Sequence, residues 1–214
     1  LVRLKRTTDD DYCSIQSHLT EADRCYFIYE YTIGQNYTAV TRGNSVISNL
    51  KRSPSDVAAN AHFQRHKDRE RNTCAQIFRS NIPDELHRRT TFVPIPPSAA
   101  RNDPNREFDD TLVRMAQQIA GRDGDARELL YQIESTRSSH RSPGNRLSQR
   151  ELLNVYAVNE DLAAPEPEVI ALVDDLLTKG THFRAASRKL QERFPHARFL
   201  GLFIAKAIPN PDSV

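Results

Sequence analysis

The sequence predicts an α/β fold, with a central, mostly parallel sheet flanked by helices. Two observations point there. Val169-Ile-Ala-Leu-Val173 is wholly apolar and mostly β-branched, which suits a strand buried on both faces, as strands of parallel sheets are. From residue 90 onward, strand-like and helix-like stretches alternate, the pattern of consecutive βαβ units. At 214 residues, the chain suffices for one domain, or one domain with a small appendage, and can bury a proper core.

Residues 1–24 are polar, with Asp9, Asp10 and Asp11 in a row, and read as an edge cap or short helix. Cys25-Tyr-Phe-Ile-Tyr-Glu-Tyr-Thr32 is β-rich and aromatic, and Tyr37 to Thr41 suits its hairpin partner across the Ile33-Gly34-Gln35-Asn36 turn. Asn44 to Leu50 reads as a short helix. Ser53-Pro54-Ser55-Asp56 is a helix start with proline in the first turn. The helix after it runs from about Asp56 to Arg79. Its middle, His62 to Asn72, is nearly all polar, so the helix is long, exposed or broken. The Arg65–Arg71 cluster within it, interspersed with Asp68 and Glu70, reads as a solvated face.

Thr90-Thr-Phe-Val-Pro-Ile-Pro96 is a second buried strand. Pro94 argues against a regular central strand there unless it sits where pairing ends. Asp109 to Gly121 is an amphipathic helix with Leu112, Met115 and Ile119 facing inward and Gly121 as its stop. Leu129 to Ile133 is a third short strand. Ser135 to Arg150 combines Gly, Pro, Ser and Arg without a buried pattern, as a mobile loop does. Leu152 to Val158 is strand-like, Ala163-Ala-Pro-Glu-Pro167 a linker, and Arg198 to Ala205 a last strand.

A hydrophobic content of 38% and a charged content of 27%, without a long apolar run or signal-peptide pattern, predict a soluble, cytoplasmic protein with no membrane partner. Cys13, Cys25 and Cys74 occupy no C-x-x-C or Cys/His spacing, so structural zinc is not expected and a reducing compartment fits. Net charge is only +2, yet basic residues cluster at Lys51–Arg52, Arg88–Arg89 and Arg137–Arg150. Such clusters suit nucleic acid or a polyphosphate. His62 and His66, at i and i+4 without a carboxylate motif, read as surface residues. Tyr26, Tyr29, Tyr31 and Tyr37 read first as packing.

The stretch with most chemical content begins at Val169. Asp174 and Asp175 stand at the strand's carboxyl end, Thr178, Lys179, Gly180 and Thr181 follow, and a helical period starts with Phe183, Ala186, Leu190 and Phe194 on one stripe. A glycine-containing loop at a helix N-terminus brings backbone N–H groups to an anion. Acidic residues beside it can hold hydroxyls. Neither a dinucleotide fingerprint nor a Walker loop is present.

This pattern resembles the ribose-phosphate signature of the type I phosphoribosyltransferases. It is similar above all to that of the competence-associated ComF-type branch, through the V-P-I-P core of Phe92 to Ser98. The resemblance spans about residues 88–207. It implies a phosphoribosyltransferase-like core at 88–214 and an N-terminal hood segment at 1–87. Carried over by position, Asp174 and Asp175 would be the catalytic, ribose-holding pair. Thr178, Lys179, Gly180, Thr181 and His182 would bind the 5′-phosphate. Pro97, Ser98, Ala99 and Arg101 would meet pyrophosphate, and Arg137, His140, Arg141 and Arg146 would form a hood loop closing over the substrate. Lys179 and His182 depart from the family's threonines, Arg106-Glu-Phe-Asp109 replaces its Arg-Gly-Phe-Asn, and the zinc ribbon of many members is absent.

The activity implied is transfer of the phosphoribosyl group from phosphoribosyl pyrophosphate, or its hydrolysis, with Mg²⁺ entering on the substrate. The acceptor is not specified. Two alternatives stand beside this reading: a catalytically inactive module that senses phosphoribosyl pyrophosphate or a nucleotide, and a nucleic-acid-associated accessory protein. A protein partner and a homo-oligomer remain open on the same footing.

Overall fold

The computed structural model of the protein describes residues 2–8, 11, 17–34, 41–136 and 147–210. Within them the strands are β1 (Lys5–Arg6), β2 (Cys25–Thr32), β3 (Thr90–Pro94), β4 (Asp125–Ala126), β5 (Leu130–Gln132), β6 (Tyr156–Val158), β7 (Val169–Leu177) and β8 (Arg198–Ile208). The helices are α1 (Arg42–Leu50), α2 (Pro54–Ala59), α3 (Ala61–Asn81), α4 (Asp84–Arg88), α5 (Thr111–Ala120), α6 (Gln149–Val155) and α7 (Thr181–Arg193).

A six-stranded sheet has the order β1-β2-β8-β7-β3-β4. Every neighbouring pair in it is parallel except β1 against β2. The expected α/β class, a mostly parallel sheet flanked by helices, is what forms. β5 and β6 make a separate antiparallel ribbon.

β7 lies between β3 and β8 and is buried from Val169 to Val173. Its pleat feeds two cores. Ile170 and Leu172 pack with Val93, Phe183, Leu190 and Tyr156 on one face. Ala171 and Val173 pack with Phe92, Val46, Phe78 and Met115 on the other. One strand thus serves both helical layers, which is why its sequence does not alternate.

Several elements differ from expectation. The N-terminal 87 residues are not separate from the sheet: β2 pairs in parallel with β8 over most of its length. The hairpin partner expected for it, Tyr37 to Thr41, lies mostly outside the described residues. The long helix is divided at Asn60, whose extended backbone ends α2 and whose side chain caps α3 at the His62 amide, 2.9 Å away. Residues 149–155 are helical rather than β, because Ser148 and Glu151 form a capping box. Pro94 is the last residue of β3, where its missing N–H is harmless, and Ile95 N resumes bonding to Val173 O at 2.9 Å.

The Arg65–Arg71 cluster is a solvated face only in part, at Arg65 and Arg69. Lys67, Glu70 and Arg71 are buried. Lys67 Nζ donates to Arg52 O at 2.7 Å and to Asp109 at 2.8 Å. Glu70 accepts from the Arg42 guanidinium, and Arg71 pairs with Asp68. These bonds tie α3 to α1 and to the start of α5.

Packing of α1 on β2 is close enough to require glycine. A Cβ on Gly43 would stand 1.9 Å from Glu30 O. Gly43→Ala is therefore expected to destabilise the fold by roughly 1–3 kcal/mol, read as a lowered denaturant midpoint with unchanged slope. An unshifted midpoint would mean that α1 can lift from the sheet at no cost.

Candidate functional site

β3 and β7 are adjacent parallel strands, but their chains leave in opposite directions. β3 is followed through α5 by β4 on one side, and β7 through α7 by β8 on the other. The crevice beyond their carboxyl ends is thus a topological switch point, where open α/β sheets take ligands. Residues 95–102 emerge from β3 into this region, and residues 178–182 from β7.

The acidic pair lies inside β7, which runs on to Leu177. Strand alternation carries Asp174 to the α7 face and Asp175 to the α1 face, and their surroundings agree. Asp175 forms an ion pair with Lys51, the C-cap of α1, at 3.0 Å. Asp174 lies near enough to Tyr156 of β6 for its charge to raise the phenol's pKa. The Asp175 amide donates to Asp174 Oδ1 at 2.8 Å. The pair straddles the sheet edge, with one carboxyl on each face.

The two carboxyls do not share one environment. Burial, and then the neighbouring Asp175 charge, push the Asp174 carboxyl up to about 8, against the opposing pull of the Asp175 amide and Lys51. Asp174 keeps some contact with water, but dense strand and helix atoms around it disfavour its charge. Near neutrality the Asp174 carboxyl can therefore hold a proton and donate it, while Asp175 faces the Lys51 ammonium. Tyr156 is itself buried, and burial raises its phenol far above the usual range, so it stays protonated. Its hydroxyl lies 3.0 Å from His182 Nδ1.

The loop after β7 turns at Gly180, whose φ of 77° favours glycine. Gly180 is also the N-cap of α7, without a side-chain cap bond. Thr178 is exposed, and Lys179, Thr181 and His182 are half-buried. The space beside the Gly180 Cα is filled by Leu19, since a Cβ there would meet the Leu19 side chain at 2.5 Å. His18 N donates to Lys179 O at 2.8 Å, and Arg184 pairs with Asp23 at 2.9 Å. Residues 18–23 thus cover the loop from outside the sheet.

The segment after β3 is tied down by its own neighbours. Ser98 Oγ accepts from Arg106, the Thr136 amide donates to Ser98 O, and Ser135 Oγ accepts from the Ala100 amide. Arg101 pairs with Glu128 and lies 4.1 Å over the Phe108 ring. Pro97, Ala99 and Arg101 line a cleft of about 780 Å³, the space beyond the two-residue β4 between α5 and the β5–β6 ribbon. No residue from 174 to 182 lines it. The two halves of the expected site thus come to adjacent strand ends without sharing one cavity. Arg137, His140, Arg141 and Arg146 lie outside the described residues.

Sequence reasoning missed Lys51, Tyr156 and Leu19. Lys51 was visible only as half of a basic pair, Tyr156 only as a strand residue, and Leu19 as part of a polar leader. Their relation to β7 exists only through tertiary packing. No protein-family model matches the chain, and no curated protein sequence does.

Because Asp174 binds its proton more tightly folded than unfolded, stability is expected to fall as pH rises from about 4, the unfolded value, towards about 8. Asp174→Asn removes that titration. Its stability relative to the wild type should be higher at pH 8 than at pH 5 by ~1 kcal/mol or more, measured by thermal denaturation. A difference independent of pH would place the Asp174 carboxyl in its ordinary range.

Proposed function

We propose that the chain is phosphoribosyltransferase-like and binds phosphoribosyl pyrophosphate, or a closely related nucleotide, at the carboxyl ends of β7 and β3. In this reading Asp174 and Asp175 hold the ribose 2′- and 3′-hydroxyls, and residues 178–182 take the 5′-phosphate. One observation carries it: an acidic pair and a glycine-capped helix N-terminus follow each other on the central strand beside the switch point.

Each residue has a definable task. The protonated Asp174 can donate to one hydroxyl while the Asp175 carboxylate accepts from the other. First-turn amides of α7 and the Lys179 ammonium suit a phosphate dianion. Tyr156 fixes the His182 ring on the same turn.

The 97–101 loop stands beside the carboxylates Asp109 and Glu128, so pyrophosphate needs a cation in company. Mg²⁺ would enter on the substrate, with Asp175 as the carboxylate able to meet it once Lys51 moves aside. When bound, the ion supplies charge neutralisation on the leaving pyrophosphate. Positioning by the residues named does the rest.

In a cytoplasmic enzyme of this kind the part of segment 1–87 outside the sheet, residues 18–23 above all, would serve as the hood. A second reading, a sensor without catalysis, is favoured by Leu19 packed on Gly180 and by Ser98 held by Arg106. Both contacts spend groups that a catalytic site would aim at substrate.

Calorimetric titration with phosphoribosyl pyrophosphate and Mg²⁺ tests the binding claim. Saturable binding is expected, weakened at least ~10-fold in Asp174→Asn/Asp175→Asn, with ribose 5-phosphate competing. Undiminished affinity in the double variant would remove the site assignment. Among binding outcomes, pyrophosphate release separates enzyme from sensor.

A further inference from the structure

The cleft beyond β4 has a chemistry of its own, unlike that of an anion site. Four carboxylates line it (Asp109, Glu128, Glu160 and Asp161) against one cation, Arg101. Three of the four are already matched: Asp109 by Lys67, Glu128 by Arg101 and Glu160 by Arg193. Asp161 has no ionic partner among the described residues.

The apolar part of the cleft is equally uneven. Among the described residues, the large hydrophobic side chains left most open to solvent are Val2, Ile33, Tyr131, Ile133 and Leu162. The last three, 45%, 51% and 36% exposed, line this cleft. Exposed apolar surface gathered in one concavity marks a binding site more than scattered residues do. The volume, about 780 Å³, lies within the range of small-molecule sites.

We propose that this cleft binds a small organic cation, its ring or alkyl part lying on Tyr131, Ile133 and Leu162 and its ammonium or amidinium meeting Asp161. Charge complementarity selects the cation: with the other three carboxylates matched, Asp161 leaves the lining with one unbalanced negative charge, which repels an anion and which a neutral ligand leaves unpaired. An aromatic ring gains most from the open Tyr131 face. The inference stands apart from the ribose and 5′-phosphate part of the phosphoribosyl reading, since no residue of 174–182 lines the cleft. An organic cation here would, however, compete with pyrophosphate on the 97–101 loop, because Pro97, Ala99 and Arg101 line the same cleft.

Tryptamine and benzamidine are suitable probes, with tryptophol as the uncharged counterpart of the first and indole-3-acetate as an anionic analogue. Binding is followed by backbone-amide shifts in the whole chain. Saturable shifts at Tyr131, Ile133 and Leu162 are expected with at least one cation. Tryptophol should bind about fivefold more weakly than tryptamine, the scale of one partly exposed ion pair, and indole-3-acetate should not bind. Asp161→Asn, on an exposed turn, should bring tryptamine down to the tryptophol level and leave tryptophol unchanged. Tyr131→Ala should weaken both. Failure of both cations to saturate, or equal affinity of tryptamine for the wild type and Asp161→Asn, overturns the proposal.

Discussion

The double burial of β7 constrains everything around it. The strand pairs in register with β3 on one side and β8 on the other, so neither of its edges is free. Helices cover both of its faces, so polar side chains are excluded until the covering layers end. Asp174 and Asp175 come where that cover thins. The same constraint gives them different neighbours, since alternation sends one towards Tyr156 and the other towards Lys51. A pair adjacent in sequence becomes two groups with different surroundings. That difference follows from the pleat.

The helical layer behind Lys51 is held by charge as well as by apolar packing. Glu70 is fully buried with Arg42 upon it, and Lys67 reaches both Arg52 and Asp109. Buried ion pairs of this kind add little net stability, but breaking one leaves a costly unpaired charge. Here they fix α3 against α1 and against the loop before α5. Through α1 they position Lys51, and through Asp109 they border the cleft. Cys25 and Cys74 lie in the two cores, where burial raises both thiols, Cys74 to about 12. They serve as apolar filling.

The sequence made the central strand, its helix and the parallel class legible, because these rest on local patterns. Val169 to Val173 is too apolar for anything but the interior, and the stripe from Phe183 to Leu190 has the period of α7. What stayed hidden was set at long range. Nothing in residues 25–32 says that they pair with 201–208, and nothing in the polar run 62–72 says that Lys67, Glu70 and Arg71 point inward. The helix at Gln149–Val155 was misread because apolar content outweighed the Ser148/Glu151 cap. The acidic pair was legible as a pair, but the burial that raises the Asp174 carboxyl and the Lys51 ion pair at Asp175 come from elements distant in sequence.

The account centres on ribose-phosphate recognition at the end of β7, and amide chemical-shift mapping with Mg²⁺ and phosphoribosyl pyrophosphate tests it most directly. The expected result is a continuous set of perturbed amides from Asp174 to Phe183, with smaller changes at residues 95–101. Perturbation confined to Tyr131, Ile133 and Leu162, or none at all, would contradict the account and leave the acidic pair as a structural feature of the sheet edge.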